Sequence, residues 1–257
     1  MTTEEVRRGG LEVWSPSKTP PIGADLTDEQ LMAVAFRHLA DVGFAENMAG
    51  HITWQPDGQS DMYVNPWGLW WAELTASDIC VVDEDARVVR GRWDVTPAIH
   101  LHTELHRIRP DARVVIHNHP YYVSLIAALG VLPELVHQTG SLFLDDMYLV
   151  ADYDGEIDAP WRASELAGQI GSANLVVLAN HGVIASGRNL AEAVYRAVSI
   201  ERVCRLAHDV MVTGRTPSQM NRGDMAGMQQ SLIERAADVY WAGAARMTIK
   251  ADPGVLT

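Results

Sequence analysis

The sequence predicts an α/β protein whose helices layer against a mixed or antiparallel sheet. Three observations carry this. Segments of helical periodicity alternate with short apolar, β-branched runs. Two pairs of those runs lie close enough in sequence to form hairpins. The 257 residues are 47% hydrophobic and 21% charged, enough apolar side chain for one sizeable core.

Taken in order, residues 1–25 read as an irregular arm, because Pro16, Pro20, Pro21 and Gly23 interrupt any period. Thr27 reads as an N-cap with Glu29 and Gln30 in the first turn. Leu31, Val34, Ala35, Leu39 and Ala40 continue that helix to a stop near Gly43. Residues 50–54 and 61–65 form one predicted hairpin, and 78–83 with 86–89 a second around Glu84 and Asp85. A helix from Thr96 to Ile108 ends before Arg109-Pro110, since the residue preceding proline avoids helical geometry. Val114, Val115 and Ile116, bounded by Pro110 and Pro120, predict a buried strand. Tyr121–Leu129 is helical, with Gly130 as its stop. Residues 142–150 look strand-like and 160–170 helical. An apolar strand then runs into Asn180-His181-Gly182 and a second short strand ending at Gly187. The longest helix spans Asn189 to Thr213, with Ala191, Val194, Ala197, Val198 and Val203 apolar; another covers 224–245. No internal repeat interrupts this order. The expected division is an arm at 1–25, a main domain at 26–215 and a helical extension at 216–257.

The net charge of −13 argues against nucleic acid and against a polybasic membrane-surface mode. No stretch has the length and apolarity of a membrane span, and Met1 to Gly10 lacks the apolar segment of a secretory signal. A cytoplasmic location is expected, with Cys80 and Cys204 as buried free thiols.

His117 and His119 close the strand after Ile116. Residues i and i+2 of a strand point to one side, so both imidazoles leave a rigid element in one direction. His181 ends a second buried strand, and Gly182 after it permits a tight turn. Three neutral imidazoles suit Zn²⁺, Fe²⁺, Mn²⁺ or Co²⁺. Three protein ligands leave a coordination position open, the mark of a catalytic ion.

These residues resemble the class II aldolase/adducin superfamily over roughly residues 28–210. The resemblance rests on His102, Arg109-Pro110-Asp111-Ala112, Val115-Ile116-His117-Asn118-His119-Pro120 and Ala179-Asn180-His181-Gly182. Leu74–Ile79 and Ala49-Gly50-His51-Ile52-Thr53 add support. It implies a three-layer α/β/α sandwich with a mixed, largely antiparallel central sheet. It also implies a homotetramer with sites at subunit interfaces, and one divalent metal per subunit held by His117, His119 and His181.

Two departures bear on function. Where sugar-phosphate aldolases of the superfamily carry serine-serine-glutamate, this chain has Thr96-Pro97-Ala98, and alanine cannot move a proton. The asparagine of the first phosphate loop is His51. The chain therefore looks closer to the branch that decarboxylates hydroxylated aromatic or pyridine carboxylates. The expected activity is a metal-dependent carbon–carbon lyase of aromatic compound catabolism acting on a small carboxylate. The alternatives are an aldolase for a non-phosphorylated hydroxy-oxo acid and a non-catalytic, adducin-like interaction role. A non-haem iron oxygenase is less expected, because its two-histidine, one-carboxylate set is not offered.

His51 and His102 are the expected proton-transfer groups, each with a pKa near neutrality. Gly50, Thr53, Thr96 and Trp71 are the substrate-binding candidates, although the Trp67–Trp71 cluster reads chiefly as core or interface packing. His38, His106 and His208 are expected to face solvent, and His100 and His102, two residues apart on a helix, are not expected to share one face. His137 is a weaker pocket candidate, and Tyr153 a turn residue. Glu201 and Arg202 read as an interface or surface pair. The helix at 224–245 is expected to cover a site, its own or a neighbour's.

Overall fold

The computed structural model describes residues 18–152, 155 and 160–257. The start of the expected arm and the turn at Tyr153 lie outside the described residues.

Eight strands form one open sheet: β1 (His51–Trp54), β2 (Met62–Val64), β3 (Cys80–Val82), β4 (Val88–Arg90), β5 (Val114–Asn118), β6 (Met147–Val150), β7 (Leu175–Leu178) and β8 (Gly182–Gly187). Their spatial order is β4-β3-β2-β1-β5-β8-β7-β6. Every pairing is antiparallel except β6 with β7. The helices are α1 (Asp28–Asp41), α2 (His100–Ile108), α3 (Tyr121–Ala128), α4 (Pro160–Ile170), α5 (Leu190–Thr213), α6 (Arg222–Ser231) and α7 (Ala237–Ala251). They cover both faces of the sheet, and the sandwich predicted from the sequence is the one observed.

Alternation along the strands sorts the core. Val114 and Ile116 face the layer of α1, α3, α5 and α7, where Phe36, Ile126, Ala197 and Trp241 join them. Val115 faces the opposite layer, with Leu101 and Leu105 of α2 and Leu166 and Ile170 of α4. Thr27 closes the capping box expected at α1: its hydroxyl accepts from Gln30 N–H, and the Gln30 side chain accepts from Thr27 N–H. Asn189 caps α5, and Gly214 ends it with φ +65°.

Three elements differ from the reading of the sequence. The strand expected over 142–150 is only Met147–Val150, preceded by a 3₁₀ turn at Gln138–Phe143. Leu142 and Phe143 are buried in succession, which no half-buried strand allows, and Asp145 takes φ +56°. A 3₁₀ turn at Pro97–Ile99 precedes α2. The helix expected over 224–245 is α6 and α7 joined by a π turn at Leu232–Ala236. Among the described residues no helix is long and apolar enough to cross a membrane.

Candidate metal centre and its cavity

The site lies where β1, β5 and β8 end side by side. His117 is the fourth residue of β5, His119 follows its last residue, and His181 sits in the turn between β7 and β8. Their ligand nitrogens all lie within 4.8 Å of one another.

Two of the rings are held from behind. His117 Nδ1–H donates to the Val183 carbonyl at 2.9 Å, which leaves Nε2 as its bare nitrogen. His119 Nδ1 faces the Glu46 carboxylate at 2.7 Å, which leaves its Nε2 facing His181. His119 Nε2 and His181 Nε2 stand 2.8 Å apart. One proton or one cation between the two nitrogens accounts for that approach. Burial holds His117 well below the ordinary imidazole pKa and His181 down to about 4, with neighbouring imidazoles adding to both. Neutral rings are what a divalent ion requires. The donor set fits such an ion.

Close backbone approach fixes the frame. A Cβ on Gly182 would lie 2.5 Å from the Asn118 carbonyl and 2.7 Å from His119 Cδ2. A Cβ on Gly50, whose φ is +80°, would lie 2.4 Å from the His117 carbonyl. The fully buried Asn118 side chain ties the pieces together. Its Oδ1 accepts from Glu46 N–H at 2.9 Å and His119 N–H at 2.7 Å, and its Nδ2 donates to Ala49 O at 2.8 Å.

The triad opens onto a cavity of about 490 Å³ lined also by Gly50, His51, Thr96, Ala98 and His102. His119 and His181 form a wall shared with a second cavity of about 460 Å³, which Glu46, Tyr121 and Ser124 line. His51 pairs with His117 across β1 and β5, so the two share a face. Its ring lies 5.3 Å from that of His117 and 4.2 Å from that of His102. Burial pushes His51 down to about 3 and His102 well below 6.5. The near-neutral pKa expected for both is corrected: they are uncharged at pH 7 and begin as hydrogen-bond acceptors or neutral donors, not as imidazolium acids.

Other candidates separate. Gly50 and Thr96 line the cavity. Thr53 is fully buried behind it, bonded to His102 and His106. Trp71 is fully buried in the core, edge-on to Phe36 with ring centroids 4.9 Å apart; it packs α1 and does not line the cavity. His38 and His106 are buried, contrary to the solvent-facing expectation. His38 meets the Tyr240 hydroxyl, and His106 lies one turn beyond His102 on the inward face of α2. His208 is partly exposed beside Asp209. His137 is exposed and caps a turn through Thr139 N–H, away from the cavity lining. Glu201 accepts from the N–H groups of Tyr122 and Val123, capping α3. Residues of α6 and α7 do not line the described cavity; these helices pack on α1, α5 and the 138–143 turn. The sequence reading missed Glu46, which no local pattern marks, and Asn118, whose place between two ligand candidates was a usable signal.

Residues 30–208 match the model of the class II aldolase and adducin N-terminal domain. The chain belongs to that family. Among its relatives, the decarboxylase NovR of Streptomyces niveus is 32% identical over 179 residues, covering 68% of this chain and 66% of that protein. The 3,4-dihydroxyphthalate decarboxylase of a Terrabacter species is 28% identical over 222 residues, 80% of this chain and 90% of that one. The solved L-fuculose 1-phosphate aldolase of Glaciozyma antarctica superposes with a TM-score of 0.79 at 20% identity, over 95% of this chain and 97% of that one. That last likeness shows the shared class II aldolase fold. The chain spans 56% to 66% of the length of some curated relatives it matches.

Proposed function

We propose that the protein is a metal-dependent lyase that decarboxylates a hydroxylated aromatic, or related oxo, carboxylate. The observation that carries this is three converging imidazoles at a cavity that His51 and His102 also line, with Ala98 where an aldolase base would stand. His117, His119 and His181 would hold one divalent ion (Zn, Mn, Fe or Co), as part of a homotetramer. A bound ion supplies Lewis acidity toward a carboxylate and the hydroxyl beside it.

The chain's own residues then handle the proton. His51 or His102, uncharged because buried, accepts the substrate hydroxyl proton on a bare ring nitrogen. The same imidazolium delivers that proton to the ring carbon bearing the carboxylate. The bond to the carboxylate breaks, its electron pair restores the aromatic ring, and CO₂ leaves. The product oxyanion takes its proton from water. Gly50 and Thr96 line the same cavity, and a side chain at position 50 would meet the His117 carbonyl.

The metal-loaded protein is expected to release CO₂ from ortho-hydroxylated aromatic carboxylates and to leave fuculose and ribulose phosphates intact. His51→Ala and His102→Ala should each slow turnover by about 10²–10⁴-fold while retaining metal. A panel of such acids yielding no CO₂, with a hydroxy-oxo acid split into two carbonyl products, would replace this reading with the non-phosphorylated aldolase.

A further inference from the structure

Two of the three imidazoles are braced by different chemistry. His117 Nδ1 meets a main-chain carbonyl, that of Val183, whereas His119 Nδ1 stands 2.7 Å from a carboxylate oxygen, Glu46 Oε2. A carboxylate accepts and an imidazole N–H donates, so this bond puts a proton on Nδ1. Nε2 is then the one ring nitrogen that His119 can offer an ion. It lies across the ring from Glu46, 2.8 Å from His181 Nε2. The carboxylate therefore acts on the ring and not on the ion, and the donor set remains His117, His119 and His181.

Glu46 comes from outside the sheet, from the loop between α1 and β1. Asn118 places it there. The amide oxygen of this fully buried residue accepts from the N–H of Glu46 at 2.9 Å and from the N–H of His119 at 2.7 Å. One side chain thus holds the main chain of the carboxylate and that of the ligand candidate in one frame. The Glu46 carbonyl closes the turn by accepting from Ala49 N–H at 2.9 Å. The Glu46 side chain itself is 54% exposed and that of His119 20%. A contact this open to water contributes little to folding, so its consequence falls on the imidazole. Glu46 lines the second cavity and not the one that Gly50 and Thr96 line, which leaves the substrate side of the triad clear.

We propose that Glu46 is a positioning residue of the metal centre. By holding the Nδ1 proton of His119 it fixes the tautomer and the ring orientation, and it makes Nε2 a stronger donor toward a divalent ion. The proposal rests on the metal reading of the triad and is independent of the reaction.

Co²⁺ binding to the full-length protein tests it, read by competition with a chromophoric chelator and by visible absorption of the bound ion. Glu46→Ala should raise the Co²⁺ Kd by about 10–100-fold. Glu46→Gln, which keeps a neutral acceptor of the same length, should fall between that variant and the wild type. The absorption bands at saturation and the melting temperature of the metal-free protein should match the wild type in both. An unchanged Kd in Glu46→Ala would overturn the proposal. Altered bands at saturation would also overturn it, because they would make Glu46 a ligand in its own right. Should Glu46→Ala not fold, Glu46→Gln decides alone: a weaker Kd supports the role and an unchanged one refutes it. Wild-type protein that takes up no Co²⁺ would remove the metal centre itself. Equal uptake by wild type and Glu46→Ala would leave the centre and remove only the role of Glu46.

Discussion

At the scale of single residues, what distinguishes this site is how many imidazoles are kept neutral by burial. His106 shows the energetic consequence away from the metal ligands. Its folded pKa is pushed down to about 4 from an ordinary 6.5, chiefly by desolvation. The unfolded chain therefore binds a proton first as pH falls. The stability this residue supports is complete above about pH 6.5 and is lost as pH drops toward about 4, an effect on the order of 3 kcal/mol. Melting temperatures between pH 7 and 4 should fall more steeply for the wild type than for His106→Gln, which keeps a polar group near Thr53 but cannot titrate there. Equal slopes would show that His106 is not the neutral buried group described. The His117, His119 and His181 set was readable from the sequence because two strand-end patterns repeat. Glu46 and the buried state of His38 and His106 were not, since a histidine on an inward helix face looks polar until its partner is known.

The elements explain which candidates became core. The segment after Pro66 returns to α1, and Trp71 fills the space beside Phe36, with both fully buried. Trp71→Ala should cost about 3–5 kcal/mol of stability by opening a cavity, measurable by denaturant unfolding, while the KM of the folded fraction stays unchanged. A raised KM at unaltered stability would return Trp71 to the substrate site. Helix and strand positions were legible where a cap or a β-branched run marks the element, as at Thr27 and Val114–Ile116. They were less so at 138–150, where a tight turn buries consecutive apolar side chains and mimics a strand. The π turn at Leu232–Ala236 leaves no local mark because the helical period continues through it.

At the scale of the molecule, the sheet order does the assembling. Strand β5 lies between β1 and β8, so ligand candidates distant in sequence end at one rim. The layer of α2 and α4 then brings His102 over His51 and closes the cavity from one side. With a net charge of −13, the chain as a whole repels an anion, and a divalent ion at the triad would supply the local positive charge that the proposed carboxylate needs. The central claim is therefore the ion. Elemental analysis of the purified wild type and of His117→Ala, His119→Ala and His181→Ala, each dialysed against the same trace of divalent metal, tests it most directly. About one ion per chain in the wild type, and a large loss in every single variant that remains folded, is the predicted result. Full occupancy in the folded His119→Ala protein would contradict it.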